Sequence, residues 1–355
     1  MQGARRRDEA VHGQGPDRPT PTLAAKVDFL KNPAAYVPPP VTVEVCETHM
    51  SWVFLAGPRV YKLKKPVRFP YLDFSTLARR ETAARAEVRL NRRLAPDIYL
   101  GVVPLTFGEA KLAIGGAGAA VDWLIEMKRL DERNMLDARI GAGRLEPPQL
   151  DQLAAVLARF YHAAAPTFLP PAVHLADFAE NLAFNKRVLL DPRFCLPAGL
   201  IRRVDAAQRG FLARHSDAIA MRLRHRRIKE GHGDLRPEHI CLDHEVRIID
   251  CIEFNPRLRT VDPFDEIAFL ALECERLGAK WAGDYLQARM KHLLRDGPAD
   301  ELFTFYRCHR ATLRARLAIA HLSEAHPRTP EKWPKMARAY LALAFEAARK
   351  LERMV

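Results

Sequence analysis

The chain has 355 residues, 48% of them hydrophobic, which allows one large domain or two of ordinary size and excludes disorder throughout. Its 56 basic and 43 acidic residues give a formal charge of +13, which favours anionic partners such as nucleotides, phosphorylated metabolites, nucleic acid or acidic membrane surfaces without choosing among them. The N-terminal stretch lacks the apolar core of a signal peptide, and no run reaches the roughly eighteen apolar residues that span a bilayer, so a cytoplasmic protein is expected, without a membrane partner.

Residues 1–22 are rich in Arg, Gly, Pro and Asp without apolar periodicity and read as a disordered leader. Leu23 to Leu30 can form a short helix, and Pro38-Pro39-Pro40 leads from it into the β-branched stretch Val41 to Cys46. Trp52 to Ala56 and Val60 to Leu63 are two further strands joined across Gly57-Pro58-Arg59, so Lys62 sits inside a strand. Asp73 to about Leu94 reads as a helix with a charged exposed face, stopped before Pro96. Leu100 to Thr106, Leu112 to Ile114 and Asp122 to Met127 continue the strand pattern. From Pro147 onward the period is helical, over Leu150 to His162, Phe178 to Leu190, Leu200 to His215, Phe264 to Leu277, Trp281 to Leu294, Glu301 to His321 and Trp333 to Met354. A short β interruption stands at Ile240 to Ile249.

The expected class is α+β, with a small lobe over 23–127, built as an antiparallel sheet plus one long helix, and a larger, mainly helical lobe over 128–355. Six cysteines without a C-x-x-C pair argue against a zinc site or disulfide framework and read as small buried apolar residues.

The segment 230–255 carries the chemistry. Ile240 to Leu242 and Val246 to Ile249 flank the turn-prone Asp243-His244-Glu245 and should pair as a hairpin, bringing His239 beside Asp250 at its open end. Asp234 lies five residues before His239 on a loop that Gly233 and Pro237 keep irregular. An aspartate and a second donor at a hairpin mouth can hold a divalent cation while another aspartate accepts a proton from an attacking hydroxyl, which are the requirements of phosphoryl transfer.

His232-Gly233-Asp234, the five-residue offset to position 239 and the later Asp250 resemble the catalytic and metal-binding motifs of the aminoglycoside phosphotransferase-like family, relatives of the protein kinases. The resemblance extends over nearly the whole chain after residue 23. Cys46 to Pro66, Leu72 to Pro104 and Glu253 to Gly278 look like a bacterial branch sometimes found fused to a P-loop ATPase domain, although no G-x-x-x-x-G-K-[ST] occurs here.

The resemblance implies a two-lobed, protein-kinase-like fold and a phosphotransferase that moves the γ-phosphoryl group of ATP, or another nucleoside triphosphate, to a hydroxyl of a small-molecule acceptor. It implies Asp234 as catalytic base within the His232 motif and Asp250 as magnesium ligand, with His239 at the second ligand position. Lys62 looks like the strand lysine that holds phosphates, Glu87 its ion-pair partner, and Glu126-Met127 the hinge that receives the adenine edge on backbone groups. Lys64 and Lys65 compete with Lys62, and Glu81 with Glu87.

Two departures from the family pattern matter. Histidine replaces the usual asparagine at 239, and imidazole is a softer ligand, which brings manganese into consideration. The loop Glu47 to Ser51 has no glycine where protein kinases carry G-x-G-x-x-G, so Ser51, Thr48 or their amides would have to cover the phosphates. Both departures motivate the alternative of a nucleotide-binding regulatory protein without transfer activity.

Nearby residues have structural and functional readings side by side. Asp262 is an N-cap, and Asp265 a brace for the catalytic loop. The basic run Arg222, Arg224, Arg226, Arg227, Lys229 is either a solvated helix end or a guide for an anionic acceptor. Tyr306, Arg310 and Arg314 share a helical face that lines either the acceptor side of a cleft between the lobes or a salt-bridged seam. Nucleic acid is not expected as a partner, since charge alone supports it and no recognition motif does.

Overall fold

The computed structural model describes residues 21–69, 71–324, 327 and 329–354, so the expected leader lies, apart from its last two residues, outside the described residues. The chain forms two compact units. One comprises the described residues up to Arg68, with Asp73–Ala84 and Gly101–Met127; the other comprises Phe69–Leu72, Arg85–Leu100 and everything from Lys128 on.

The first unit begins with α1 (Leu23–Lys31), capped by the Thr22 hydroxyl, which accepts from the Ala25 amide at 3.2 Å. Its sheet has six strands, β1 (Val43–Glu47), β2 (Ser51–Ala56), β3 (Arg59–Lys64), β4 (Tyr99–Gly108), β5 (Lys111–Ile114) and β6 (Ala119–Lys128), in the order β1-β2-β3-β6-β4-β5. The β2–β3 turn puts Gly57 at φ +61°, a conformation glycine adopts without steric cost, and sets Val53 opposite Lys62. Val27 and Leu30 of α1 close over Phe54, Leu63, Leu105 and Leu124 to make the core. Asp122, 1% exposed, ties helices to the sheet by accepting from Lys26 Nζ at 2.8 Å and Arg80 Nε at 2.7 Å. Arg80 lies on α2 (Leu77–Asn91), the long helix, which contributes residues to both units.

The second unit is helical: α3 (Leu136–Gly141), α4 (Pro147–Ala163), α5 (Pro171–Leu189), α6 (Ala198–Arg224), α7 (Pro263–Arg276), α8 (Lys280–Leu294), α9 (Asp300–Ala320) and α10 (Lys332–Met354). Seven of these correspond to expected helices, but α3 has no counterpart among them, α5 begins at Pro171 instead of Phe178, and α6 does not end near His215. The helix runs on to Arg224 through a kink there, with φ −127° at His215, because Phe211 and Ile219 on either side are both drawn into the core.

Helix α7 is the axis of this unit. Every residue from Pro263 to Cys274 is buried, its three acids included. Its acidic residues are matched inside: Asp265 accepts from Arg310 at 2.8 and 2.6 Å, and Glu273 accepts from Tyr340 Oη at 2.6 Å and Arg276 Nε at 2.7 Å. Four cysteines are buried, but Cys46 and Cys195 are exposed, which corrects the expectation for those two. Among the described residues no helix is long and apolar enough to cross a membrane.

Candidate active site

The expected hairpin forms. Ile240 pairs with Ile248, Cys241 with Arg247 and Leu242 with Val246, and its apolar side chains enter the core of the second unit. At its open end the Ile249 amide donates to the His239 carbonyl at 2.9 Å, which fixes the start of one strand against the end of the other. His239 is therefore flanked by two carboxylates: its Nδ1 is 3.8 Å from Asp234 Oδ2, and its Nε2 is 3.6 Å from Asp250 Oδ2. Asp234, His239 and Asp250 lie together in one unit.

Asp250 adopts φ +64°, the left-handed region that aspartate enters more readily than most residues. Two contacts hold it there. Its amide donates to Tyr99 Oη at 3.2 Å, and the next amide, of Cys251, donates to Asn91 Oδ1 at 2.9 Å. Its side chain is 46% exposed.

His232 is fully buried and positions the loop. Its Nε2 donates to the Ile249 carbonyl at 2.9 Å, which leaves Nδ1 to accept from the Asp234 amide at 3.3 Å. Burial, aided by the neighbouring His239, lowers its pKa to about 4, so the ring is neutral at physiological pH, as both hydrogen bonds require. Gly233 has φ +89°, and a Cβ there would stand 3.1 Å from both Ile252 Cδ1 and the Leu258 carbonyl, so glycine is needed for the loop to fold onto this segment.

The brace beneath the loop is Glu266, not the neighbouring Asp265 to which the sequence points. Glu266 is 0% exposed and accepts from the amides of His232, at 2.9 Å, and Gly233, and from Tyr161 Oη at 2.7 Å. Burial pushes its carboxyl up, and the three donors offset part of that shift. Asp265 turns instead to Arg310. Asp262 does cap α7, accepting from the Phe264 amide at 2.9 Å, and also takes Arg222 and Tyr306.

A second group that the sequence pattern does not reveal is Arg236. Its Nε donates to Asp234 Oδ2 at 3.0 Å, its Nη1 to Glu238 Oε1 at 2.6 Å, and its Nη2 lies 3.1 Å from His239 Nε2. Because His239 Nδ1 donates to the Asp234 carbonyl at 2.9 Å, the lone pair on Nε2 faces Arg236 and Asp250. Burial pushes the Asp234 carboxyl up, but Arg236, with His239 and Arg314 behind it, outweighs burial and holds it below the usual value. Asp234 is thus an ionised acceptor at neutral pH.

The other expected residues fall as follows. The basic run is mostly structural: Arg222 is buried against Asp262 and Asp296, Arg227 reaches Asp296 at 3.4 Å, and Lys229 Nζ donates to the Ala164 carbonyl at 2.9 Å. Tyr306, Arg310 and Arg314 form the interhelical seam, meeting Asp262, Asp265 and Glu273 respectively.

In the first unit Lys62 is half-buried, whereas Lys64 is 2% exposed with its ammonium 4.8 Å from the Phe74 ring centroid. Ser51 is buried, yet the amides proposed as a phosphate cradle are already used: Ser51 N–H donates to Thr48 Oγ1 at 2.9 Å and Thr48 N–H to the Ser51 carbonyl at 2.8 Å. Glu126 accepts from Tyr61 Oη at 3.2 Å, and Met127 follows it on β6. Glu87, on α2, is completely buried.

This geometry has a known fold around it. The chain has the aminoglycoside-phosphotransferase-like, protein-kinase-like fold. It superposes on a choline kinase from Cryptosporidium parvum with a TM-score of 0.51, at 10% identity, over 88% of this chain and 90% of that one. A thermostable mutant of aminoglycoside phosphotransferase APH(4)-Ia gives a TM-score of 0.51 at 12% identity, over 92% and 98%. At these identities the likeness is one of fold. In sequence, the chain is 34% identical over 291 residues to an uncharacterized protein of Mycobacterium tuberculosis, covering 80% of this chain, and equally to one of Mycobacterium bovis. It spans 56% of the length of these curated relatives. No family model matches the chain.

Proposed function

We propose that the chain is a phosphotransferase that moves the γ-phosphoryl group of ATP, or another nucleoside triphosphate, to a hydroxyl of a small-molecule acceptor. The observation that carries this reading is the placement of His239 between the carboxylates of Asp234 and Asp250, with Asp234 kept ionised by Arg236. An ionised carboxylate on a loop pinned by His232 and Glu266 is a suitable acceptor for the proton of an attacking hydroxyl. Asp234 is the base in this reading, and His232 holds it in place.

Asp250 Oδ2 and the lone pair of His239 Nε2 face each other and fit a divalent cation, magnesium or manganese, whose remaining positions nucleotide oxygens and water complete. Among the described residues no three His, Cys, Asp or Glu side chains group to hold an ion unaided. The ion would supply charge neutralisation at the phosphates. Arg236 must release His239 Nε2 for the imidazole to ligate, and its guanidinium is then available to the transferred phosphoryl group. In the first unit Lys62 is assigned to the phosphates, Ser51 to their cover through its hydroxyl, and Glu126-Met127 to the adenine edge; Glu87 supports the lysine.

The choline kinase and the aminoglycoside phosphotransferase are small-molecule kinases by name, and a variant of the thermostable APH(4)-Ia mutant forms a ternary complex with AMP-PNP and hygromycin B. Both support a nucleotide and a small acceptor here. The test is nucleotide consumption by the purified chain with magnesium or manganese, screened against sugars, amino alcohols, nucleosides, aminoglycosides and hydroxy acids. Metal-dependent turnover with one acceptor class is expected.

The Arg236 contacts also favour a second reading, in which the guanidinium permanently occupies Asp234 and His239 and the chain binds nucleotide without transfer. Thermal stabilisation by ATP with no product under any metal would establish that reading instead.

A further inference from the structure

The buried arginines of this fold have carboxylate partners. Arg80 meets Asp122, Arg222 meets Asp262, Arg310 meets Asp265 and Arg314 meets Glu273. Arg316, half-buried on α9, has none. Its Nε donates to Asn185 Oδ1 at 2.7 Å, its guanidinium carbon lies 4.5 Å from the Phe184 ring centroid, and among the described residues its two terminal nitrogens make no hydrogen bond and no ion pair. Burial pulls this guanidinium below its usual value, with only the Tyr71 phenol acting against that.

Asn185, on α5, is 1% exposed, and its Nδ2 has no hydrogen-bond partner among the described residues. A buried carboxamide N–H without an acceptor is an uncommon and costly state. Two helices thus present donors that nothing on the described chain satisfies: the free edge of a stacked, anchored guanidinium, and one amide nitrogen.

A chain of contacts leads from these donors toward the candidate active site. The Tyr71 ring, influenced by Arg316, is 6.1 Å from that of Phe254, four residues beyond Asp250. Arg257, on the same segment, pairs with Asp177 of α5. The segment that follows Asp250 therefore touches the helix that carries Asn185.

We propose that Arg316 and Asn185 recognise an anionic group, a carboxylate or a phosphate, on the acceptor whose hydroxyl Asp234 activates. This rests on the phosphotransferase reading and narrows it to anionic hydroxy compounds. The chemistry follows from the donor geometry: a guanidinium with Nε anchored and both terminal nitrogens open presents the two parallel N–H groups that match carboxylate or phosphate oxygens. Stacking on Phe184 fixes its plane, so little side-chain freedom is lost on binding. An ammonium-bearing acceptor would meet an unneutralised cation instead.

The test is calorimetric binding in the absence of nucleotide, so its outcome does not depend on transfer. The probes are 3-hydroxybutyrate against 1,3-butanediol, glycerol 3-phosphate against glycerol, and choline as the cationic control. At least one anion is expected to bind tenfold or more tightly than its uncharged counterpart, and which pair discriminates separates carboxylate from phosphate. Arg316→Gln should abolish the preference, and Arg316→Lys should retain part of it. Circular dichroism of each variant shows whether it is folded, and Arg316→Lys serves if Arg316→Gln is not. No preference for either anion, tighter binding of choline, or a preference that survives Arg316→Gln would overturn the proposal. A preserved preference with no phosphoryl transfer to any acceptor would sink the kinase reading and leave the anion site standing.

Discussion

Replacing Glu266 by glutamine probes the support of the catalytic loop with almost no change of shape. The carboxylate takes three donors, the His232 and Gly233 amides and Tyr161 Oη, in a site with no solvent exposure. A hydrogen bond to an ionised group contributes about 1.5–3 kcal/mol, against about 1 for a neutral pair. With the amide nitrogen placed toward Tyr161, whose hydroxyl can turn to accept, the two backbone bonds become neutral and the loss is about 1–3 kcal/mol. The opposite amide orientation would set N–H against N–H and cost more. Urea unfolding followed by circular dichroism should show a lower midpoint at unchanged slope. Turnover should fall as well, because the same amides orient Asp234. Tyr161→Phe removes one donor and leaves both loop bonds, so it should lose stability while keeping most activity. If Glu266→Gln changes stability by less than about 0.5 kcal/mol and leaves turnover intact, the buried carboxyl is protonated and does not brace the loop through its charge.

Three further outcomes follow from the same geometry. Burial lowers His232 and His309 to about 4, so each stays neutral in the fold while the unfolded chain takes up protons below about 6.5. Stability is therefore lost as pH falls from about 6.5 to 4, by up to about 3 kcal/mol for each ring, and these two contribute no further loss below that. Urea midpoints measured across this range should decline, and His309→Leu should flatten the decline; an unchanged profile would contradict the assignment. Arg236→Leu removes the main influence that depresses Asp234, so the acidic limb of the pH–rate profile should move up and turnover should fall at least tenfold, whereas a rise in turnover would identify Arg236 as a block on the site. Lys62→Met should weaken ATP binding in calorimetry more than Lys64→Met, and the reverse order would transfer the phosphate role to the more buried lysine.

Much of this was legible in the sequence because local signals agreed. The hairpin around Asp243-His244-Glu245 fixed where His239 and Asp250 would meet, and Pro263 after Asp262 marked the start of α7. What was not legible depends on rotation and depth. Asp265 and Glu266 are adjacent acids on a helix buried on every side, and about 100° of turn between them decides which one faces the loop. Arg236 carried no signal, since nothing in the chain order shows a guanidinium folding back on residues two before and three after it. Lys62 and Lys64 share a strand face, so alternation could not separate them, while depth does. Arg316 belongs to an arginine-rich helix and differs from its neighbours only in lacking a carboxylate.

The assignment of Asp234 as the proton acceptor is tested most directly by following label from γ-labelled ATP into an acceptor, with wild type and Asp234→Asn compared in the presence of metal. Transfer by the wild type, and none by a variant that still binds ATP with unchanged affinity, is the result expected. Transfer by Asp234→Asn at the wild-type rate would remove the base from the site and the reaction from this fold's reading.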